Sequence, residues 1–371
     1  MDLDRRVLAD WVAFPHGFNV LHDAGLKRAM ADGKIRVRPE PDDSQIQPAS
    51  LDIKLGKARV YDARAMARTG TLAAELFAED IDAEIPTKFA IGYPDEKGLP
   101  ITIPPGAFVE AFSHNKILFS PDDYEISFDL RSSRGRIHLS PEIIPGVERN
   151  RHYVSFRNES NKTVILYGHD PFAQAFFHPR SADESSGFIV QDEAMAAKLA
   201  GESFQGMPEM FGAYVVFRCG EKALRLRDIV SVIDTRKKYK ECELYEEVSL
   251  PFNRSTGARP RDALVVQLEP VMRLPPNVGL RILHSPPYLQ GVSHSTFLLD
   301  EQSANAGWID PGYEGKATAH IMTRIRPPTL QTGMPLAFGV FYYYTTPVDK
   351  PYGSEGLNSH YQKSEGAGVR S

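Results

Sequence analysis

The sequence has few cysteines, no large excess of charge of either sign and no long apolar run. Cys219 and Cys242 are the two cysteines in 371 residues, too few for a disulfide scaffold and typical of a reducing compartment. Because 43 Lys and Arg stand against 48 Asp and Glu, giving a formal charge of −5, the basic excess of a general nucleic-acid binder is missing. No apolar stretch reaches the roughly 18 residues that a membrane span needs.

The first residues, MDLDRRVLADW, lack the apolar core of a signal peptide, so we expect a cytoplasmic protein without a membrane partner. The composition, 42% hydrophobic and 25% charged, is typical of a packed globular protein. The length favours two domains of ordinary size. The sequence also has 28 Gly and 28 Pro, a slight excess that suits a turn-rich β protein.

Short apolar runs dominate the pattern after a helical beginning. Residues 1–34 have helical spacing and are predicted as helix, and residues 191–202 predict a second, short helix. Most of the remainder consists of short β-branched or aromatic segments cut by Pro, Gly, Asn or Asp, such as SLDIKLG, EISFDL and LAFGVFYYYT. This pattern indicates strands of a sandwich or barrel.

The order helix, strands, helix, strands predicts two copies of one unit. Residues 103–133 have a counterpart in residues 259–286, although the identity between them is low. We place the boundary between residues 185 and 186, which gives domains 1–185 and 186–371.

The first motif with chemical content is Arg131-Ser132-Ser133-Arg134-Gly135-Arg136, directly after the predicted strand EISFDL. Three guanidinium groups and two hydroxyls in six residues form a dense set of hydrogen-bond donors. The Arg fork matches phosphate oxygens in a bidentate way, so the motif is a candidate phosphate loop. The alternative interpretation is a solvated basic turn.

The second motif is AGWIDPGYEG, residues 306–315, followed by the predicted strand KATAHIM. Its alternative interpretation is an ordinary hairpin, because Asp before Pro-Gly is common in turns.

Two further segments accompany these motifs: IQPASLDIKLG, residues 46–56, and PYGSEGLNSHYQ, residues 351–362. In this order the four motifs resemble the dCTP deaminase branch of the dCTP deaminase/dUTPase superfamily. The chain is about twice the usual length of that family. The resemblance therefore implies a mainly β, double-domain form with two tandem dUTPase-like domains of the β-clip or distorted jelly-roll type and a few short helices.

The resemblance also implies the reaction, hydrolytic deamination of dCTP to dUTP and ammonia in pyrimidine deoxynucleotide metabolism. It implies Mg²⁺ carried with the nucleotide triphosphate, no catalytic zinc, and a homo-oligomer, because the sites of the family lie between subunits. A zinc deaminase would need H-x-E and P-C-x-x-C, and the sequence has neither spacing. The expected partner is a small nucleotide, dCTP or dUTP, and no nucleic-acid polymer.

The motifs are divided between the two halves. The phosphate loop is intact in the first half, and the IDPG turn is intact in the second, where the first half has IIPG at residues 143–146. The simplest interpretation is one composite site, made within one chain or between neighbouring chains. The resemblance implies a substrate-binding set of Arg131, Ser132, Ser133, Arg136, Tyr313, Thr318, Tyr352, Tyr361 and Gln362.

The family glutamate that activates water falls on His320, and its counterpart in the first half is Ser155. A neutral imidazole can act as general base, since its unperturbed pKa is near 6.5. We therefore predict His320 and Asp310 as the catalytic residues. The alternative is that His320 is an ordinary strand residue, with the base lost or located elsewhere, for example at Glu148 or Glu314.

Two binding residues have alternatives as well. Tyr313 is expected to stack on deoxyribose, or else to be a plain core aromatic. The tail with Tyr352 and Tyr361 is expected to fold over the triphosphate, or else to be disordered, and His360 replaces the usual lysine of the family.

Two other functions remain open at this point. The missing glutamate fits a catalytically inactive nucleotide-binding or regulatory protein. Tyr313 and Asp310 fit a dUTPase-type pyrophosphatase, although the glycine-rich, arginine-bearing C-terminal motif of dUTPases is not present.

Overall fold

The computed structural model of the chain describes residues 19–62, 90–141, 146–148, 151–181, 185–251, 263–284, 304–305, 307–322, 330–357 and 362–363. These residues are mainly β, as predicted. The first-half strands are β1 (Asn19–Leu21), β2 (Ile35–Arg38), β3 (Leu51–Tyr61), β4 (Ala90–Tyr93), β5 (Pro100–Ile103), β6 (Phe108–Ser113), β7 (Lys116–Phe119), β8 (Tyr124–Leu130), β9 (Leu139–Pro141), β10 (Gly146–Glu148), β11 (Arg151–Asn158), β12 (Thr163–Tyr167) and β13 (Pro171–Pro179). The later strands are β14 (Ser186–Ile189), β15 (Met210–Phe211), β16 (Tyr214–Leu226), β17 (Val232–Asp234), β18 (Tyr245–Val248), β19 (Ala263–Glu269), β20 (Met272–Arg273), β21 (Val278–His284), β22 (Ala304–Asn305), β23 (Trp308–Ile309), β24 (Glu314–Gly315), β25 (Thr318–Met322) and β26 (Pro335–Tyr344).

The described helices are short: α1 (Asp23–Ala31), α2 (Ser132–Gly135), α3 (Glu193–Ser203) and α4 (Glu241–Leu244). Helix α3 confirms the helix predicted at 191–202, and it begins where the Asp192 side chain accepts a hydrogen bond from the amide of Met195. None of the described helices is long and apolar enough to cross a membrane.

The prediction of helix over residues 1–34 is partly wrong. Residues 19–21 form strand β1, which pairs antiparallel with β14, Asn19 opposite Phe188. Tertiary pairing with a strand far along the chain outweighs local helical spacing here, because helix propensity is a weak preference. Helix α1 covers the later part of the predicted range, and residues 1–18 lie outside the described part.

The first half is built around a sheet in the order β10-β11-β6-β3-β13-β8, with eight strands among the described residues. Strand β13 pairs with β8 from Ala173 opposite Leu130 to Pro179 opposite Tyr124. This register places the end of β8, and with it the phosphate loop, beside the start of β13. Most side chains of β3 are buried, and its apolar residues belong to the hydrophobic core of the first half.

The second half is built around a sheet in the order β14-β26-β16-β19-β25, to which β1 adds at one end. Strand β26 pairs with β14, β16 and β21. Strand β25 pairs with β19, with His320 opposite Val265. The residues after the IDPG turn therefore lie within this sheet.

The two halves share strands and core. Strand β17 runs parallel to β12 of the first half, with Val232 opposite Thr163. The far end of β16 and residues near α4 also pack into the core of the first half, through Leu224, Leu226 and Tyr245. Burial of these apolar side chains removes them from water and fixes the position of one half against the other. The boundary at 185/186 stays a prediction.

Candidate active site

One open pocket lies where the two halves meet. The space between its walls is about 1000 Å³ with open solvent included. The lining residues come from both motifs of the same chain and from the segments beside them: Gln47, Leu130, Arg131, Ser132, Ser133, Gly135, Arg136, Gln174, Ile282, Gly307, Trp308, Ile309, Asp310, Tyr313, Ala317, Thr318, His320 and Tyr352.

The phosphate loop is the short helix α2 with the residue on either side of it. The amide of Arg131 donates to the carbonyl of Phe172 over 3.1 Å, which ties the loop to β13. The guanidinium of Arg134 donates to the carbonyl of Pro171 over 3.0 Å, so this arginine holds the loop and does not line the pocket. The hydroxyl of Tyr245, from the second half, donates to the carbonyl of Arg136. The loop is therefore fixed from both halves.

Arg131 forms an ion pair with a buried carboxylate. Its Nη1 atom lies 3.3 Å from Oδ2 of Asp52 on β3, and both side chains are largely buried. Burial raises the pKa of Asp52 to about 6, although the charge of Arg131 opposes this shift. Asp52 belongs to the segment of residues 46–56, so that segment supports the phosphate loop directly.

The IDPG turn is held by aromatic packing. The indole N–H of Trp308 donates to Oδ1 of Asp310 over 3.0 Å. The Trp308 ring contacts Tyr342 of β26 and Phe176 of the first half, with centroids 4.8 and 5.5 Å apart respectively. A β-carbon on Gly307 would lie 3.0 Å from Oδ2 of Asp129, so glycine lets the turn approach the end of β8. Asp310 is thereby aligned toward the pocket.

Asp310 has a strongly shifted pKa. Burial raises the pKa of Asp310 to about 7, the Trp308 hydrogen bond and the charge of Arg131 oppose the shift, and the charge of Asp52 adds to it. Perturbed carboxyl groups in a cleft are candidates for acid–base chemistry, because they exchange a proton near neutral pH.

This shift predicts a pH dependence of stability. From about pH 4 to pH 7 folded Asp310 keeps a proton that the unfolded chain has lost, so the free energy of unfolding falls as pH rises through this window. Asp310→Asn keeps the acceptor for Trp308 and removes the ionisation. We expect the variant to be more stable than wild type by about 1 kcal/mol or more at pH 8, and by much less at pH 4. Thermal unfolding at both pH values measures this, with Glu355→Gln on an exposed side chain as control.

His320 lines the pocket from β25 and is 7% exposed. A second buried histidine, His138, lies behind it, with ring centroids 6.4 Å apart and nearly perpendicular planes. Burial lowers the pKa of His138 to about 3, so its ring is neutral at physiological pH. His138 adopts φ 62°, a conformation uncommon for a non-glycine residue and a source of backbone strain.

The C-terminal tail is bound to the IDPG turn. The amide of Tyr352 donates to the carbonyl of Pro311 over 2.8 Å, and its ring lies 5.6 Å from that of Tyr313. The Gln362 side chain accepts from the amide of Glu314 and donates to the carbonyl of Gly312, each over 3.2 Å. Gly312 has φ +86°, and a β-carbon there would lie 2.6 Å from that of Pro351, so glycine is required for this docking.

Nine of the eleven predicted site residues thus line one pocket: Arg131, Ser132, Ser133, Arg136, Asp310, Tyr313, Thr318, His320 and Tyr352. Gln362 instead supports the turn, and Tyr361 lies outside the described residues. Neither Glu314 nor Ser155 lines the pocket, and the side chain of Glu148 is not described. Tyr313 belongs to the hydrophobic core of the second half and also lines the pocket. A core role and a role beside the deoxyribose are therefore compatible.

The sequence interpretation missed several residues around the pocket: Gln47, Asp52, Gln174, His138 and Tyr245. Asp52 and Gln47 lie in a motif that was recognised but given no side-chain role. His138 directly follows the phosphate loop, and its proximity to His320 depends on the packing of β25 against the first half. No local signal marks Tyr245, because its contact with Arg136 joins residues 109 positions apart.

Known proteins match parts of this chain. The profile of the 2'-deoxycytidine 5'-triphosphate deaminase (DCD) N-terminal domain matches residues 17–81. A "dCTP deaminase, dUMP-forming" of Bifidobacterium longum (strain DJO10A) is 39% identical over 64 residues, 17% of this chain and 33% of the relative. The enzyme of that name from Methanosphaera stadtmanae is 23% identical over 178 residues, 47% of this chain and 85% of the relative. The chain thus spans about a third of the length of the first curated relatives it matches.

A solved structure extends the likeness to the whole architecture. The crystal structure of 2'-deoxycytidine 5'-triphosphate deaminase from Agrobacterium tumefaciens superposes with a TM-score of 0.65 at 16% identity, over 89% of this chain and 99% of that chain. The chain is therefore a mainly β protein with a dUTPase-like fold, at a length close to that of the solved protein. The matched N-terminal domain and the partial relatives add a likeness to the dCTP deaminase family.

Proposed function

We propose that the chain hydrolyses the exocyclic C4–N bond of dCTP and releases ammonia, at the pocket between its two halves. The observation that carries the proposal is the meeting of the phosphate loop, the IDPG turn and His320 around one pocket. A triphosphate needs clustered cations, a ribose needs an apolar wall, and a base needs a proton acceptor. Arg131 and Arg136 are the cations for the triphosphate, and Tyr313 is the apolar wall for the ribose. His320 and Asp310 are the proton acceptors for the chemistry at the nucleobase.

Triphosphate binding is assigned to the first half. Arg131 and Arg136 supply guanidinium donors, and Ser132 and Ser133 supply hydroxyl donors to phosphate oxygens. Because Arg131 is paired with Asp52, its charge is held in place before the nucleotide arrives, and less side-chain entropy is lost on binding. Thr318 and Tyr352 complete the binding set on the other side.

The chemical step is assigned to the second half. His320 takes a proton from water as the water oxygen attacks C4 of cytosine. One water proton ends on the amino group, which leaves as ammonia when the C4–N bond breaks, and the other ends on N3, so that C4=O forms and the base becomes uracil. Asp310, with its pKa near 7, is the second group able to hold or release a proton at this wall of the pocket. The imidazole of His320 and the carboxyl of Asp310 together take the role that a glutamate has in the resembled family.

Mg²⁺ is proposed to enter with the triphosphate. The lining residues offer one carboxylate, Asp310, together with hydroxyl and amide oxygens, a donor set that fits a hard cation held mainly by phosphate oxygens and water. The ion would neutralise phosphate charge. Deamination itself is proposed to be independent of zinc.

The second candidate is deamination followed by release of diphosphate. It is favoured by the names of the relatives, which are called dUMP-forming dCTP deaminases. Hydrolysis at the α-phosphate would need a second water beside the phosphate loop. The two candidates share the C4 step and differ in product, dUTP against dUMP.

The experiment is incubation of the purified full chain with dCTP and MgCl₂, followed by ammonia measurement and anion-exchange chromatography of the nucleotides. Ammonia with dUTP supports the first candidate, and ammonia with dUMP and diphosphate supports the second. Nucleotide binding without ammonia at any pH between 6 and 9 would contradict both candidates and indicate an inactive, regulatory relative. Analytical ultracentrifugation of the same sample tests the predicted homo-oligomer, and cytoplasmic location stays a prediction.

A further inference from the structure

Three turns of the first half meet outside the pocket. They carry Asp95 between β4 and β5, His114 between β6 and β7, and His169 between β12 and β13. Nδ1 of His114 lies 2.9 Å and Nε2 of His169 lies 2.8 Å from the same carboxylate oxygen, Oδ1 of Asp95. All three side chains are about one-fifth exposed, so the cluster is accessible from solvent.

The three ligand atoms are spaced almost as a metal ion requires. They all lie within 4.8 Å of one another. Around a tetrahedral ion with bonds of about 2.0–2.1 Å, ligand atoms are about 3.3 Å apart. The Asp95 oxygen therefore needs to move about half an ångström away from each nitrogen, and the two nitrogens, now within 4.8 Å of each other, need to reach the same spacing. Two imidazoles with one carboxylate form a donor set for divalent first-row transition ions.

The backbone holds the three turns in place independently of the side chains. The amide of Gly98 donates to the carbonyl of Gly168 over 2.9 Å, and the amide of Gly168 donates to the carbonyl of Leu99 over 3.0 Å. These two hydrogen bonds join the Asp95 turn to the His169 turn. The amides of His114 and His169 donate to consecutive carbonyls of β3, those of Lys54 and Leu55, over 2.8 and 2.6 Å. Such a preformed arrangement lowers the entropy lost on binding an ion.

The His169 turn is further fixed from the second half. Asp170 accepts two hydrogen bonds from the Arg236 guanidinium, over 2.9 and 2.7 Å, and that guanidinium lies over the Tyr167 ring. His169 has φ 65°, where glycine is the common residue. The backbone of His169 is therefore strained, and the contacts around the turn compensate for this strain.

We propose that Asp95, His114 and His169 bind a divalent transition ion of the zinc type, with one coordination position left to water. The ion takes the place of the hydrogens between the two rings and the carboxylate. Each inward hydrogen moves to the outward nitrogen of its ring through solvent, or is released to solvent where that nitrogen already carries one, so that each bound ring has a single proton on its outward nitrogen. None of the three residues lines the nucleotide pocket. The ion therefore crosslinks the three turns and takes no part in the deamination.

The test is isothermal titration of EDTA-treated full-length protein with ZnCl₂, together with CoCl₂ titration followed by visible absorption. We expect one site per chain, a rise in Tm of about 2 °C or more at saturating zinc, and Co²⁺ ligand-field bands. His114→Ala, His169→Ala and Asp95→Asn should each weaken binding at least about 100-fold, since loss of an outer-shell partner alone costs 10–100-fold. Asp42→Asn, an exposed carboxylate paired with Lys54, is the matched control and should bind normally.

Exposed Cys242 is a competing zinc ligand, so Cys242→Ser is titrated in parallel and should retain the site. Absence of zinc and cobalt binding by wild type overturns the proposal, as does a zinc affinity of the three variants equal to that of wild type. The cluster would then be a set of hydrogen bonds that holds the turns together without an ion. If a variant fails to fold, the wild-type Co²⁺ spectrum decides the question, because bands without the thiolate charge-transfer feature require nitrogen and oxygen ligands.

Discussion

Replacement of His320 with alanine should lower kcat for ammonia release from dCTP by about 10²- to 10⁴-fold, the usual contribution of a general base. The imidazole lines the pocket on a strand whose register is fixed by pairing with β19, so its loss leaves Asp310 as the proton acceptor at that wall among the lining residues that the structure describes. KM for dCTP should change little, because the phosphate loop is untouched. Steady-state kinetics at saturating dCTP measures the effect.

His320→Glu is the informative companion, because it restores the carboxylate that the resembled family has at this position. We expect it to recover at least tenfold over the alanine variant. His152→Ala serves as control, since that buried ring packs beside Phe119 and Phe128 away from the pocket. Full activity of His320→Ala would remove His320 from the mechanism and transfer the base to Asp310, whose asparagine variant would then be the inactive one.

Replacement of Arg131 with alanine should have two separate effects. Loss of a guanidinium from the phosphate loop should lower kcat/KM for dCTP by about 30- to 160-fold, since a charge-assisted contact of about 2–3 kcal/mol is lost. The chain should also lose about 3 kcal/mol of stability at pH 8, because the buried Asp52 is left without its counter-charge. At pH 5 Asp52 is protonated in the folded state and the stability loss should be smaller.

The double variant Arg131→Ala/Asp52→Asn separates the two effects. It should regain most of the stability at pH 8, while kcat/KM stays low. Arg218→Ala, which breaks an exposed pair with Glu209, is the matched arginine control and should cost about 1 kcal/mol or less. Unchanged kcat/KM in Arg131→Ala would exclude this arginine from nucleotide binding. Unchanged stability would contradict the assignment of Arg131 as the counter-charge that stabilises Asp52.

The relation between sequence and structure differs from element to element. Helix α3 was predictable because its start signal and its spacing are local, with Asp192 as the cap. Strand β1 was not predictable, since its partner Ser186–Ile189 lies far along the chain and its hydrogen bonds stabilise an extended backbone that local spacing does not favour. The ion pair of Asp52 with Arg131 was not predictable either, although each residue lies in a recognised motif, because the two residues are far apart in sequence.

The sequence by itself determined the mainly β class, the four motifs and their order, and hence the resemblance to the dCTP deaminase family and the list of candidate site residues. These depend on residue identity and local spacing, which a chain displays without folding. Only the tertiary structure placed residues of both motifs around one pocket of one chain, buried Asp310 deeply enough to raise its pKa to about 7, and brought His138 close to His320. Proximity and desolvation arise from contacts between residues far apart in sequence, and no local pattern encodes them.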